Sequence, residues 1–195
     1  MCPRPRKVTD DDVFMAAQRA MSRLGPGELT LADIAGEAGV TAGLLVQRFG
    51  SKRELLLALS ERFSGGTAEM FDELKRGRSP LAAIRAYSDG MAHLASSPAA
   101  LARNFAYLQI DLTDPDFRKH LAKQASATRQ QLQKLIRAAI EERELVPETN
   151  PKRLARTVEA IVSGSMLSWA FYQQGTAAKW MRHDLDAVLE PYLTR

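Results

Sequence analysis

The chain has 195 residues, of which 45% are hydrophobic and 26% are charged, with a net charge of +4. This composition is typical of a soluble globular protein of one or two domains, and no segment approaches the roughly 18 consecutive apolar residues that span a membrane. Cys2 is the only cysteine and the N-terminus has no apolar signal segment, so we expect a cytoplasmic protein without an internal disulfide.

The first eight residues, MCPRPRKV, form a predicted flexible arm that carries Arg4, Arg6 and Lys7. Such an arm is either a solvated tail or a segment that lies along phosphates or in the minor groove of a DNA duplex. Residues 1–62 contain nine Lys or Arg and eight Asp or Glu, so their total charge is close to neutral. Any binding to nucleic acid therefore depends on where single cations lie.

Residues 30–49 predict two short helices joined by a tight turn. Thr30 and Asp33 have the spacing of a capping box, which begins the first of these helices. Gly39 is suited to end it in the left-handed conformation, and Thr41 is suited to cap the second. This arrangement is a helix-turn-helix, whose second helix can enter the major groove of DNA.

Further helices are predicted on both sides of this motif. Thr9 and Asp12 form another capping box, and the Gly-Pro-Gly of residues 25–27 ends the helix that they begin. Ser51 caps a fourth helix with an apolar face, which Gly65-Gly66 breaks or bends.

The second half of the chain repeats one local signal, a capping residue followed by proline. Proline suits the first helical position because the N–H that it lacks would have no partner there. The pairs are Ser79-Pro80, Ser97-Pro98, Asp114-Pro115 and Asn150-Pro151. They predict helices over residues 80–95, 98–111, 115–144 and 151–173, followed by a last helix over 176–190. No segment shows strand periodicity, so the predicted fold is all-α with nine or ten helices.

The helix-turn-helix segment resembles the TetR family of prokaryotic transcriptional repressors. The close match covers residues 9–60, and beyond it only the length and the helical layout are similar. The residues that carry the resemblance are Leu29, Thr30, Asp33, Ile34, Ala35, Glu37, Ala38, Gly39, Val40, Thr41, Gly43, Phe49, Ser51, Lys52 and Leu55.

This resemblance implies a three-helix DNA-binding domain over residues 9–62 and a larger helical effector-binding and dimerisation domain over 63–195. It implies a homodimer that binds a palindromic double-stranded DNA operator and leaves it when a small-molecule effector binds. From the residues themselves, as described below, we expect no catalytic residue, cofactor or metal. The alternative is an all-α small-molecule carrier or enzyme that retains a vestigial DNA-binding head.

The resemblance also assigns DNA contacts by position, and the chain departs from the family at two of them. The usual phosphate-binding aromatic residue is Val46, and the usual His or Tyr two positions later is Arg48. Gln47 could pair with adenine, Arg48 with guanine, and Val46 could contact a thymine methyl group. We hypothesise that Arg48 replaces the lost phosphate contact. The predicted DNA-binding residues are Thr30, Thr41, Ala42, Gly43, Leu44, Val46, Gln47, Arg48 and Lys52.

Apolar and aromatic residues of the middle helices are the candidates for an effector pocket. Their character suits an apolar or aromatic effector with few polar anchors, although such residues also form plain helical cores. They are Tyr87, Met91, Phe105, Tyr107, Leu108, Met166, Trp169 and Tyr172.

The helix over residues 151–173 is apolar or small on nearly every face, so it must be covered on all sides. Either it belongs to the core of its own chain, or it pairs with the last helix in a four-helix dimer interface, which the resemblance favours. The predicted interface residues are Val158, Ala160, Ile161, Gly164, Ser168, Leu185, Val188, Leu189 and Tyr192.

Other chemistry finds no support in the sequence. His93, His120 and His183 are far apart, and the acidic residues of 111–116 lack the glycine turn and terminal Glu of a calcium loop. No nucleophile elbow, P-loop or dinucleotide-binding fingerprint occurs.

Overall fold

The protein is all-α, as predicted. The computed structural model describes residues 8–194, so the predicted basic arm lies outside the described residues except for Val8. The helices are α1 (Asp10–Arg23), α2 (Leu31–Ala38), α3 (Ala42–Phe49), α4 (Lys52–Gly65), α5 (Thr67–Lys75), α6 (Pro80–Ala92), α7 (Pro98–Thr113), α8 (Pro115–Glu141), α9 (Pro151–Tyr172) and α10 (Ala177–Leu189), with single 3₁₀ turns at His93–Ala95 and Glu190–Tyr192. Within residues 8–194 there is no strand, only an isolated antiparallel bridge between Leu145 and Leu193.

The helices of the N-terminal part begin at the predicted caps. In α1 the Asp12 N–H donates to Thr9 Oγ1 at 3.2 Å, and the Thr9 N–H donates to Asp12 Oδ2 at 2.8 Å. Thr30 and Asp33 form the same reciprocal pair at the start of α2. Each pair satisfies two backbone donors that a helix leaves without partners in its first turn.

The proline-associated caps are also confirmed. The backbone N–H groups of the first turns donate to Ser79, Ser97, Asp114 and Asn150 at distances between 2.9 and 3.3 Å. The predicted helix over 115–144 ends earlier, at Glu141, because the chain turns at Arg143, which has a φ of 60°. The break at Gly65-Gly66 separates α4 from α5.

The first compact unit consists of the described residues up to Arg62 together with Ala102–Arg118. Its core contains Leu29, Ile34, Leu45 and Leu55, which are at most 1% exposed, and it also includes Tyr107 and Phe117. Residues 102–118 lie in the range predicted for the second domain, and three of them, Tyr107, Ile110 and Phe117, contact the core of the first compact unit.

The second compact unit consists of Phe63–Leu101 and the described residues from Lys119 onward. Helix α10 packs against both α9 and α6, and α8 adds Leu132 and Ile136 to the same core. Glu144, which follows α8, accepts hydrogen bonds from the Ser79 hydroxyl at 2.6 Å and the Leu81 N–H at 2.8 Å. The end of α8 is thereby fastened to the first turn of α6.

Candidate nucleic-acid interface

Helices α2 and α3 meet at a turn that holds α3 on the surface of the first unit. Gly39 has a φ of 69°, a conformation that other residues adopt only with strain, and the Val40 N–H donates to Ala35 O at 3.0 Å. Leu45 is fully buried, and Phe49 packs on Phe14 with ring centroids 5.9 Å apart. One face of α3 is therefore fixed in the core and the opposite face is presented to solvent.

The solvent face of α3 contains most of the residues predicted to contact DNA. Leu44 is 41% exposed and Val46 is 49% exposed, and Gly43, Gln47 and Arg48 are also exposed. Ala42 is half-buried. The helix thus offers a largely apolar surface with one amide and one guanidinium group.

The two predicted threonine contacts serve as helix caps. Thr41 Oγ1 accepts the Leu44 N–H at 3.2 Å, and the Thr30 hydroxyl donates to Asp33 Oδ2 at 2.5 Å. The hydrogen bonds from the Thr30 hydroxyl and backbone N–H hold the pKa of Asp33 below its ordinary value of 3.8. Both threonines are exposed, so each can also face a ligand outside the unit.

Arg48 is held by its own chain at the start of α1. Its Nη1 donates to Val8 O at 3.0 Å, its Nη2 lies 2.5 Å from Asp10 Oδ1, and its guanidinium carbon lies 5.7 Å from the centroid of the Phe49 ring. The side chain is only 28% exposed. The hypothesis that Arg48 replaces a phosphate contact stays a prediction, but the structure gives this cation an internal partner.

Lys52 at the start of α4 also has internal partners. Its Nζ donates to Pro26 O at 3.1 Å and to Leu29 O at 2.7 Å. These hydrogen bonds fasten the loop between α1 and α2. An ammonium group has three donors, so one N–H of Lys52 remains for a phosphate oxygen.

Arg53 has a role that sequence reasoning missed. Its guanidinium donates to Asp114 at 2.8–3.1 Å and to Asp116 at 2.7 Å, and it lies 5.6 Å from the centroid of the Phe117 ring. The hydrogen bonds from Arg53 hold the pKa of the Asp114 carboxyl below its ordinary range, and the two carboxylates raise the pKa of the guanidinium further. The acidic cluster at the start of α8 therefore binds a cation of its own chain. Among residues 8–194 no three His, Cys, Asp or Glu side chains form a group that would hold a metal ion.

The eight candidate effector-pocket residues are divided between the two compact units. Phe105, Tyr107 and Leu108 belong to the first unit, where Tyr107 is 8% exposed and donates its hydroxyl to Leu24 O at 2.9 Å. Burial, with a smaller contribution from the charge of Glu28, raises the pKa of Tyr107 to about 12.

The other five belong to the second unit. Tyr87, Met166 and Trp169 are buried in its core, and Met91 packs against that core. Tyr172 is 66% exposed and stacks on Trp180 with ring centroids 5.6 Å apart. The assignment of these residues to an effector pocket stays a prediction, because helical periodicity identifies apolar faces without showing which of them meet.

An open cavity of about 300 Å³ lies in the second unit beside the turn between α9 and α10. Only Trp169 of the predicted residues lines it, and the Trp169 Nε1–H donates to Gly175 O at 3.3 Å. Asp89, on the same cavity wall, is paired with Arg182. The remaining lining residues are Ala92, His93, Ala95, Ser96, Thr176, Ala177 and Ala178.

The residues predicted at a dimer interface lie on two different faces. Val158, Leu185 and Leu189 are fully buried in the core of their own unit, so they cannot contact a partner. The predicted interface as a whole stays a prediction. Helix α9 has two apolar stripes, and one of them packs against α6 and α10. Ile161, Val188 and Tyr192 are partly buried against the same core.

The second stripe of α9 faces solvent. Ala160 and Gly164 are exposed and Ser168 is half-buried. The stripe continues into Leu167, which is 39% exposed, and Phe171, which is 72% exposed. These two residues were not among those predicted at the interface. None of the described helices combines the length and apolar character needed to cross a membrane.

Comparison with known proteins gives matches along most of the chain. Residues 14–59 match the family model described as "Bacterial regulatory proteins, tetR family", and residues 104–185 match "Tetracyclin repressor-like, C-terminal domain". The HTH-type transcriptional regulator AcrR of Shigella flexneri is 25% identical over an alignment of 195 positions. This alignment covers 95% of this chain and 89% of that protein.

Two solved structures have the same fold. SmeT, the repressor of the Stenotrophomonas maltophilia multidrug efflux pump SmeDEF, superposes with a TM-score of 0.66 at 20% identity and covers 96% of this chain and 92% of its own. The regulator FadR of Bacillus subtilis, solved in complex with stearoyl-CoA, has a TM-score of 0.68 at 16% identity over 92% of this chain and 97% of its own.

Proposed function

Because this chain belongs to the TetR family of transcriptional regulators, we propose that it is a ligand-responsive repressor that binds a palindromic DNA operator as a homodimer in the cytoplasm. The observation that carries the proposal is the solvent face of α3, which is held outward by the burial of Leu45 and is otherwise without a packing role. A short exposed helix after a tight turn is the element that helix-turn-helix proteins insert into the major groove.

The proposed DNA surface combines this face with the helix starts around it. Gly43, Leu44, Val46 and Gln47, with Ala42 beside them, face base edges. Phosphates are contacted by Thr30, Thr41 and Lys52, together with the unpaired backbone N–H groups in the first turns of their helices. Arg48 lies on the same surface with its charge directed to Asp10.

A homodimer follows from the size of this surface. A single eight-residue helix buries too little area for specific binding, and a two-fold dimer doubles it on a palindromic site. The proposed interface is the solvent stripe of α9, formed by Ala160, Gly164, Leu167 and Phe171. The small residues allow close helix approach, and the two large ones supply apolar area that is otherwise exposed.

The proposed effector site is the cavity beside Trp169. Four alanines and one indole make it mainly apolar, and Asp89, His93 and Ser96 are its polar anchors. The cavity lies at the lower end of the volumes of small-molecule sites, which suits a small apolar or aromatic effector.

Binding of anilinonaphthalene sulfonate to a Trp180→Phe variant tests the site, since Trp169 is then the only tryptophan. We expect a change in its fluorescence, and Ala178→Phe should reduce this change by filling the cavity.

Footprinting of the purified chain on genomic fragments tests the central proposal. We expect protection of a palindromic site, and Val46→Glu should abolish it because it would place a carboxylate in the negatively charged major groove, where the aliphatic side chain faces base edges. Met15→Glu is the matched control, since Met15 is an exposed apolar residue of α1 in the same unit. Absence of protection on any duplex at moderate salt would favour the carrier or enzyme alternative instead.

A further inference from the structure

The structure of α3 assigns a base preference to the operator: we propose that its half-site is read through thymine methyl groups by Leu44 and Val46 and through adenine by Gln47, so that the contacted positions are A·T pairs. This inference rests on the proposed function and concerns its specificity. The residues that determine specificity are Leu44, Val46 and Gln47. Asp10 is a positioning residue that holds Arg48.

The first argument is the chemical character of the exposed face. Leu44 and Val46 are 41% and 49% exposed, and they lie on the two flanks of the exposed face of α3, because residues two apart on a helix are about 200° apart around its axis. The C5-methyl of thymine is the only apolar group that unmodified DNA bases present at the major-groove edge. Two exposed aliphatic side chains on a recognition helix therefore match thymine better than any other base.

The second argument is the position of the only cation on α3. Reading of guanine in the major groove usually requires Arg or Lys bonded to its O6 and N7 atoms. Arg48 is paired with Asp10 Oδ1 at 2.5 Å and with Val8 O at 3.0 Å. The neighbouring cation, Lys52, donates to two carbonyl oxygens of the loop between α1 and α2. Within residues 30–52 no other Lys or Arg occurs, so this face has no unpaired cation to recognise guanine.

The third argument is the side-chain amide of Gln47. Gln47 is exposed, and in the described part of the chain its side chain has no hydrogen-bond partner. A glutamine amide can donate to N7 and accept from N6 of adenine, which is a two-bond match. Gln47 follows Gly43 by one helical turn, and Gly43 has no side chain that would keep the helix away from the bases. Both features place the amide within reach of the groove.

Selection of duplexes from a random library by the full-length chain is the first test. We expect the selected half-sites to contain A·T pairs at the positions protected by α3. Conserved G·C pairs at those positions would overturn the inference while leaving the proposed function intact. Failure to select any sequence would overturn the proposed function and the inference with it.

Replacement of the selected thymidines by deoxyuridine is the sharper test, because it removes only the methyl group. Loss of one buried methyl contact should weaken binding by about fourfold per half-site, and by about 15-fold when both half-sites are changed. The variants Leu44→Ala and Val46→Ala should bind the thymine operator less tightly and should be less sensitive to the deoxyuridine change. Met15→Ala should keep the full sensitivity. Equal affinity of the native chain for both operators would overturn the inference.

The positioning role of Asp10 is tested by Asp10→Ala, which releases Arg48. We expect this variant to tolerate guanine at the contacted positions and, if the released guanidinium reaches a phosphate, to show a salt dependence steeper by about 0.9 in log–log slope. Asp11→Ala is the matched control, since it removes an acidic charge from the same helical turn but one that is paired with Arg62 at 3.0 Å. Identical base preferences of the native chain and both variants would show that Asp10 does not restrain Arg48.

Discussion

The guanidinium of Arg53 binds both carboxylate oxygens of Asp114, a residue 61 positions later in the chain. Asp114 also caps α8 by accepting the Asp116 N–H at 2.9 Å. One carboxylate therefore starts a helix and fastens residues 102–118 to α4. A domain of about 60 residues is only marginally stable by itself, because it can bury only a limited fraction of its surface. Tyr107 and Phe117 enlarge its core, so the first compact unit is discontinuous in sequence.

The Arg53–Asp114 pair predicts a pH dependence of stability. Because the pKa of folded Asp114 is below its ordinary 3.8, its charge stabilises the folded state above that pH, and this contribution is lost as the pH falls through the lower folded value. Asp114→Asn keeps a capping oxygen but removes the charge. We expect the variant to be less stable than the native chain at pH 7, with the difference shrinking below about pH 3.8. Urea unfolding followed by circular dichroism measures the stability difference at pH 7 and its decrease at lower pH. Asp11→Asn controls for the loss of one acidic charge. A difference that does not change with pH would contradict this role.

Tyr107→Phe should weaken the first unit. The substitution removes the hydrogen bond to Leu24 O and should lower the free energy of unfolding by about 0.5–1.5 kcal/mol. The native chain should also lose stability between about pH 10 and 12, since the unfolded state releases the Tyr107 proton first, and the variant should lose less. Tyr172→Phe, at an exposed position, should leave the unfolding free energy nearly unchanged.

Lys52→Met should affect both stability and DNA binding. Two carbonyl oxygens of the loop between α1 and α2 lose a charged donor, which should lower the free energy of unfolding by about 1–3 kcal/mol. If the third N–H binds phosphate, the slope of log affinity against log salt should become shallower by about 0.9. Lys75→Met breaks only an exposed ion pair with Asp72. It should change neither the free energy of unfolding nor the salt dependence of DNA binding. A stability loss with an unchanged slope would assign Lys52 to the loop alone.

Gly43→Ala should separate stability from function. A Cβ at this position has no neighbour closer than Thr41 Oγ1 at 4.0 Å, so alanine fits and should raise helix stability by up to about 1 kcal/mol. The same methyl group would lie between α3 and the bases, and we expect operator affinity to fall by about tenfold or more. Gly90→Ala in α6 is the control, because it also adds a methyl group in open space but should leave DNA binding unchanged. Unchanged operator affinity in Gly43→Ala would place the contact surface elsewhere.

The two faces of α9 and α10 should respond differently to substitution. Phe171→Glu places a charge on the exposed stripe and should yield a folded monomer by light scattering. Leu189→Ala opens a cavity in the core and should lower the free energy of unfolding by about 2–5 kcal/mol without a specific effect on assembly. A dimer that persists in Phe171→Glu would exclude this stripe as the interface.

The sequence by itself determined where the helices begin, because a cap is a contact between residues two or three positions apart. Thr9, Thr30, Ser79 and Asn150 all cap the helices predicted from them. The helix-turn-helix was predictable for the same reason, since Gly39 and Thr41 act within one turn of the chain. The family assignment followed from these local spacings.

Only the tertiary structure decided which of several apolar or charged groups meet. Periodicity showed that α9 has two apolar stripes, but packing against α6 and α10 decided that Val158 lies inside and Phe171 outside. Local spacing also carried no information on the contact of Arg48 with Asp10 or of Arg53 with Asp114. These partners are 38 and 61 positions away in the chain and are brought close only when the helices pack. Contacts of this range depend on how whole helices are arranged, and that arrangement is set by the combined burial of many side chains rather than by any short segment.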